Sequence, residues 1–169
     1  MEAGRVVADA CRSHEVPFLV NDDAELARRL DADGVHIGRG DMPPEIARSL
    51  LGPKAIVGVT VYGTENEERA AEEAGADYVA VGPFFPSPTK PEEPVLPFTV
   101  LDGVVGRSRL PVFAIGGITA ERARELARHR IAGVAVASAI MDARDPRRAA
   151  QEILRAFEGG LTASSRRAR

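Results

Sequence analysis

Ser87, Thr89 and Lys90 sit close together in the stretch Gly82-Pro83-Phe84-Phe85-Pro86-Ser87-Pro88-Thr89-Lys90, directly after the apolar run Tyr78-Val79-Ala80-Val81. Small hydroxyls donate hydrogen bonds and an ammonium supplies a compact positive charge, while the prolines hold the backbone so that little entropy is lost when an anion docks. The same composition also suits an exposed linker. Two further apolar runs that end in small residues, Ala114-Ile115-Gly116-Gly117-Ile118 and Val134-Ala135-Val136-Ala137-Ser138, move the reading toward phosphate, with the endings expected to converge on one rim. Asp22 and Asp41 each stand just past an apolar run, and neighbouring carboxylates in that position suit Mg2+, which takes one or two carboxylates and completes its octahedron with phosphate oxygens and water. Taken alone, Asp22 reads as a helix cap and Asp41 as a turn residue. Beside the phosphate loops, the metal reading is preferred.

The elements that must position these groups alternate between strand and helix. Apolar runs suited to buried strands occur at Phe18-Leu19-Val20, Gly34-Val35-His36-Ile37-Gly38, Ala55 to Thr60, Tyr78 to Val81, Val112 to Ile115 and Gly133 to Val136. Helices are expected between them: residues 2 to 14 with Val6, Val7, Ala10 and Cys11 on one face, one capped by Asp23, and one opened by Pro43-Pro44 and closed by Gly52. Thr64 with Glu67 predicts a capping box for a helix that stops at Gly75. Later helices are expected from about Pro97 to Val105, after Thr119, and from Asp145-Pro146 to Gly159-Gly160, with residues 159–169 a disordered tail. The phrases Ala32-Asp33-Gly34-Val35, Ala76-Asp77-Tyr78-Val79 and Ile131-Ala132-Gly133-Val134 recur before alternate strands, which marks a repeated unit.

Strict alternation predicts an α/β fold with a parallel sheet, active residues following the strands. A doubly wound sheet also alternates, but there is no Gly-x-Gly-x-x-Gly turn here, and paired phosphate loops after the last two strands belong to barrels of the TIM type. The 169 residues, 44% apolar and 28% charged, fit one domain, expected over residues 1–158. A net charge of −3 without a basic stripe, and only 5% aromatics, argue against nucleic-acid binding. No apolar run approaches the roughly 20 residues needed to span a bilayer, so no membrane role is expected. The single Cys11 excludes an intrachain disulfide and fits a reducing, cytoplasmic setting, with the thiol in a core rather than acting as a nucleophile. His36, within a strand, reads as a packed, hydrogen-bonded residue, and His14 and His129 as surface residues.

From about Val16 to Pro146 these landmarks together resemble the thiamine-phosphate synthase family. They are Val20-Asn21-Asp22, Gly34 to Gly38 followed by Asp41, Gly58-Val59-Thr60, Val81 to Lys90, Ala114 to Ile118 and Ala137-Ser138-Ala139-Ile140. The resemblance implies a TIM-barrel enzyme, with six of the usual eight strands present, that joins hydroxymethylpyrimidine diphosphate to a thiazole phosphate and releases diphosphate. It implies Mg2+ on Asp22 and Asp41, with Asn21 and Lys90 on the departing diphosphate. Thr60 would touch the diphosphate or pyrimidine, and Thr60 and Lys90 are the catalytic candidates. Ser87, Thr89, the Gly117 backbone and the Ala137-Ser138 turn would hold the thiazole phosphate. No protein nucleophile is needed, because the metal and Lys90 stabilise the charge that develops as the carbon–oxygen bond breaks.

Departures from the family pattern are Thr60 for serine, Tyr62 for histidine, Ser87 for threonine, Arg39 for glutamine and Pro97-Phe98 for glycine. The family's first two strands, with a cationic Gln-x-Arg-x-Lys segment, have no counterpart in these residues. Six strands are therefore expected to leave two apolar edges, at Phe18 to Val20 and Gly133 to Val136, so that the chain is expected to be poorly soluble, dimeric through these edges, or inactive with the pyrimidine and thiazole substrates. A thiazole tautomerase-like relative and a noncatalytic phosphate-binding homologue are the alternatives.

Overall fold

The computed structural model describes residues 1–64, 66–86 and 92–167, with side chains described as far as residue 163. The strands are β1 (Leu19–Asn21), β2 (Gly34–Ile37), β3 (Ile56–Val61), β4 (Tyr78–Val81), β5 (Val112–Ile115) and β6 (Gly133–Ala135). Helices α1 (Glu2–Ser13), α2 (Ala24–Leu30), α3 (Pro44–Leu51), α4 (Glu67–Glu73), α5 (Phe98–Arg107) and α6 (Ala120–Leu126) intervene, and α7 (Ser138–Met141) and α8 (Pro146–Arg167) complete the chain. Two compact units emerge, residues 1–61 with 66–79, and residues 62–65 with 80–169.

In the first unit β1 pairs parallel with β2, and β2 with β3, placing Val20 beside Val35 and His36 beside Gly58. Side chains alternate along a strand. Val20, Val35, Ile37 and Val57 therefore share a buried cluster with Ala24, Ala27 and Leu30 of α2 and Ala47 of α3, while His36, Gly58 and Thr60 belong to the opposite face. The recurring Ala-Asp phrase has a local cause. Asp33 accepts from Phe18 N at 2.7 Å, and Asp77 accepts from Val57 N at 2.7 Å, so each carboxylate ties the start of its strand to the preceding one. Asp77 also accepts from Arg48, whose guanidinium reaches the carbonyls of Gly52, Ala55 and Gly75.

Two expectations change here. α4 begins at Glu67 with Asn66 at its N-cap, in the left-handed region at φ 68°, so the helix starts later than the Thr64–Glu67 spacing places it. The buried side of α1 is the other one: Ala8 is buried and Gly4 packs on Leu30, while Val6 and Val7 are 65% and 48% exposed. Small residues allow the closest helix approach, and that outweighs the apolar stripe. Cys11 is half-buried.

In the second unit β5 and β6 pair parallel, with Phe113 beside Gly133 and Ala114 beside Val134. Leu101 and Val104 of α5, Ala123 and Leu126 of α6, and Ile153, Ala156 and Phe157 of α8 are buried. Thr119 caps α6, accepting from Arg122 N at 3.4 Å, and Asp145 accepts from Arg148 N at the start of α8. The expected end of the last helix does not hold, since α8 runs through Gly159 and Gly160 to Arg167. The reason is contact rather than propensity. A side chain at Gly160 would meet the Arg124 carbonyl at 2.5 Å and the Ala127 methyl at 2.7 Å, so the glycine lets α8 lie against the end of α6. His129 also departs from expectation. Its side chain is only 19% exposed, bonded to Asp102 at 2.7 Å and tilted against the Phe98 ring at 5.0 Å, because the chain reverses at Arg130 (φ 59°) and turns the imidazole toward α5. His14 is exposed, as read.

Candidate active site

In the first unit the candidate groups lie at or just past the carboxyl ends of β1, β2 and β3. Asn21 is the last residue of β1 and is exposed, and Asp22 follows it in the left-handed region at φ 67°, its N–H donating to the His36 carbonyl at 2.8 Å. Asp41 lies in the loop after β2 and accepts from Gly38 N at 2.8 Å. A methyl built on Gly38 would lie 3.1 Å from Oδ2 of Asp41 and 3.9 Å from Oδ1 of Asp22, so both carboxylates border the same glycine. Among the described residues no group of three or more His, Cys, Asp or Glu side chains gathers. Arg39, in the same loop, contacts Glu67 at 3.4 Å.

Thr60 stands one residue before the end of β3, and its Oγ1 lies 2.8 Å from Nε2 of His36. Nδ1 of the same ring lies 2.9 Å from the Tyr78 hydroxyl, and the two rings stack at 5.5 Å. Gly58 makes this possible, because a side chain there would run into the Tyr78 ring. Burial pushes the Tyr78 hydroxyl above its ordinary pKa of 10.0. His36 is thus packed and hydrogen-bonded as the sequence suggests, and its bond to Thr60 links it to a candidate site residue. Tyr78 is not singled out by the sequence reading, and the signal available was the glycine at 58, where a strand of valines drops its side chain.

In the second unit the small residues after β5 and β6 form close backbone approaches. Gly116 (φ 91°) and Gly117 (φ 64°) take left-handed conformations, and a side chain at Gly117 would meet the carbonyls of Pro86 at 2.5 Å and Phe85 at 2.7 Å. The Arg122 guanidinium lies 4.6 Å over the Phe85 ring and donates to the Gly117 carbonyl at 2.5 Å, bracing this loop pair. Nothing in the sequence reading marks Arg122. Ala137, at the N-cap of α7, is exposed, and Ser138 opens that short helix directly after β6. Ser87, Thr89 and Lys90 lie outside the described residues.

A profile for "Thiamine monophosphate synthase" matches residues 1–140. The thiamine-phosphate synthase of Thiobacillus denitrificans is 48% identical over 151 residues, covering 89% of this chain and 72% of the relative. The chain belongs to the thiamine monophosphate synthase family. A second relative, the thiamine-phosphate synthase of Thermoplasma acidophilum, is 40% identical over 165 residues, covering 98% of this chain and 76% of the relative. The solved structure of thiamine phosphate pyrophosphorylase from Pyrococcus furiosus superimposes with a TM-score of 0.84 at 37% identity, over 95% of this chain and 76% of that one. The chain thus spans about three quarters of the length of these members of the thiamine monophosphate synthase family. It is a thiamine-phosphate synthase homologue, a transferase by descent, with the TIM-barrel-type α/β fold of its relatives. No helix among the described residues is long and apolar enough to cross a membrane.

Proposed function

We propose that this chain joins hydroxymethylpyrimidine diphosphate to a thiazole phosphate, with Mg2+ held by Asp22 and Asp41. The observation that carries the reading is the pair of carboxylates bordering Gly38. When bound, Mg2+ would neutralise charge that builds on the departing diphosphate. Asn21 and Lys90 would hold the diphosphate, and Thr60 would donate a hydrogen bond to the pyrimidine diphosphate. The carbon–oxygen bond breaks with its electron pair leaving on the diphosphate, and the thiazole nitrogen supplies the pair for the new carbon–nitrogen bond. Ser87, Thr89, the Gly117 backbone and the Ala137-Ser138 turn would hold the thiazole phosphate, with Gly116 and Gly117 bringing the backbone close. This reaction uses soluble phosphorylated substrates and fits a cytoplasmic protein.

Calorimetric titration of each ligand into wild type and variants tests this reading. Asp41→Ala and Asp22→Ala should each weaken diphosphate binding by about ten- to a hundredfold, the range for interactions with charged groups, and abolish its Mg2+ dependence. Thiazole phosphate binding should persist in both variants. Ser138→Ala combined with Ser87→Ala should show the reverse pattern. Equal loss of both ligands in every variant would mean general unfolding and would remove the support for two separate phosphate sites.

A further inference from the structure

His36 makes two side-chain hydrogen bonds whose directions are coupled. Its Nδ1 meets the Tyr78 hydroxyl at 2.9 Å and its Nε2 meets Thr60 Oγ1 at 2.8 Å. A neutral imidazole carries one donor nitrogen and one acceptor nitrogen, so fixing one bond fixes the other. Both partners are hydroxyls, able to donate or accept, and they differ in acidity. A phenol is far more acidic than an alcohol and is the better donor, while the alcohol oxygen is the better acceptor. Burial keeps the Tyr78 proton in place by raising its pKa. The stacked rings, at 5.5 Å and an interplanar angle of 23°, hold the geometry that this exchange requires.

We propose that Tyr78 and His36 are positioning residues that set the direction of the Thr60 hydroxyl. Tyr78 donates to Nδ1, Nε2–H donates to Thr60 Oγ1, and the Thr60 hydrogen is left to donate to an acceptor atom of the pyrimidine diphosphate. The opposite polarity would spend the Thr60 hydrogen on His36 and turn oxygen lone pairs toward an anion. Gly58 belongs to the device, because it makes the room in which the Tyr78 ring reaches His36 across the strand pair. The proposal rests on the reading that Thr60 touches the pyrimidine diphosphate.

Nitrogen NMR of the resting protein reads the tautomer without any substrate. In wild type the His36 proton should reside on Nε2, and in Tyr78→Phe the other tautomer should gain population. In turnover assays Tyr78→Phe should lower kcat/KM for hydroxymethylpyrimidine diphosphate about three- to tenfold, the range for one neutral hydrogen bond. Thr60→Val should lose at least as much, and Thr60→Ser should recover most of that loss. If Tyr78 acts through Thr60, Tyr78→Phe should cost little more in a Thr60→Val background. A proton on Nδ1 in wild type, an unchanged tautomer in Tyr78→Phe, or additive losses in the double variant would each overturn the proposal. Absence of turnover in wild type would count instead against the synthase reading, and the tautomer would still decide the polarity.

Discussion

A missing side chain decides what Tyr78 does. Gly58 lies beside His36 in the β2–β3 register, and the Tyr78 ring occupies the space above it. In Gly58→Ala the new methyl would meet that ring, and because the collision is with a packed aromatic body the expected cost is about 1–3 kcal/mol of stability, read by denaturant unfolding. The same burial makes Tyr78 a source of alkaline sensitivity. Its folded pKa lies above the unfolded value of 10.0, so its contribution to stability is complete below that value and is lost as pH rises through the folded pKa. Thermal melts between about pH 9 and pH 12 should therefore fall more steeply for wild type than for Tyr78→Phe. Equal slopes would show that the ring ionises as freely folded as unfolded.

Among the elements, α8 offers the sharpest contrast, because its two adjacent glycines differ only in what surrounds them. Gly159 faces open space and Gly160 lies against Arg124 and Ala127. Gly159→Ala should stabilise the protein by about 0.5–1 kcal/mol through helix propensity alone. Gly160→Ala should destabilise it by about 1–3 kcal/mol, because the methyl forces α8 away from α6. Urea midpoints of the two single variants, moving in opposite directions, would check this. If both variants stabilised, the close approach of α8 to α6 would be wrong. The Asp33 and Asp77 side chains act at the same scale, each joining the start of one strand to the strand before it. The third repeat has Ala132 where the others carry aspartate, and Ala132 N makes its own bond to the Val112 carbonyl at 2.8 Å.

For the molecule as a whole, each unit has a terminal strand: in the first β1 pairs with β2, and in the second β6 pairs with β5. Terminal strands present backbone donors and acceptors in a row, which favours pairing with another chain. The 169-residue chain is accordingly expected to self-associate, giving a concentration-dependent dimer in sedimentation velocity. A monomer at every accessible concentration would overturn that expectation. The chain spans 72% and 76% of the thiamine-phosphate synthases of Thiobacillus denitrificans and Thermoplasma acidophilum.

Periodicity and punctuation in the sequence determined the strand–helix order, because each apolar run is short and bounded by turn residues, and after β1, β5 and β6 a cap follows: Asp23, Thr119 and Asp145 all accept the bonds that their positions predict. Those same signals placed Asp22 and Asp41 after neighbouring strands, where parallel pairing brings them to one glycine. What sequence alone did not decide were the outcomes set by contact between elements distant in the chain. Local propensity put a stop at Gly159-Gly160, but α8 continues because Gly160 fits against α6; the apolar stripe of α1 put Val6 and Val7 inside, but Gly4 and Ala8 are there because they allow closer packing. His129 read as a surface residue until α5 supplied Asp102 and Phe98. The Tyr78–His36–Thr60 chain belongs to the same class, since its members are separated by 42 and 24 residues and only the register of the strands, with a glycine at the crossing, brings their polar atoms within reach.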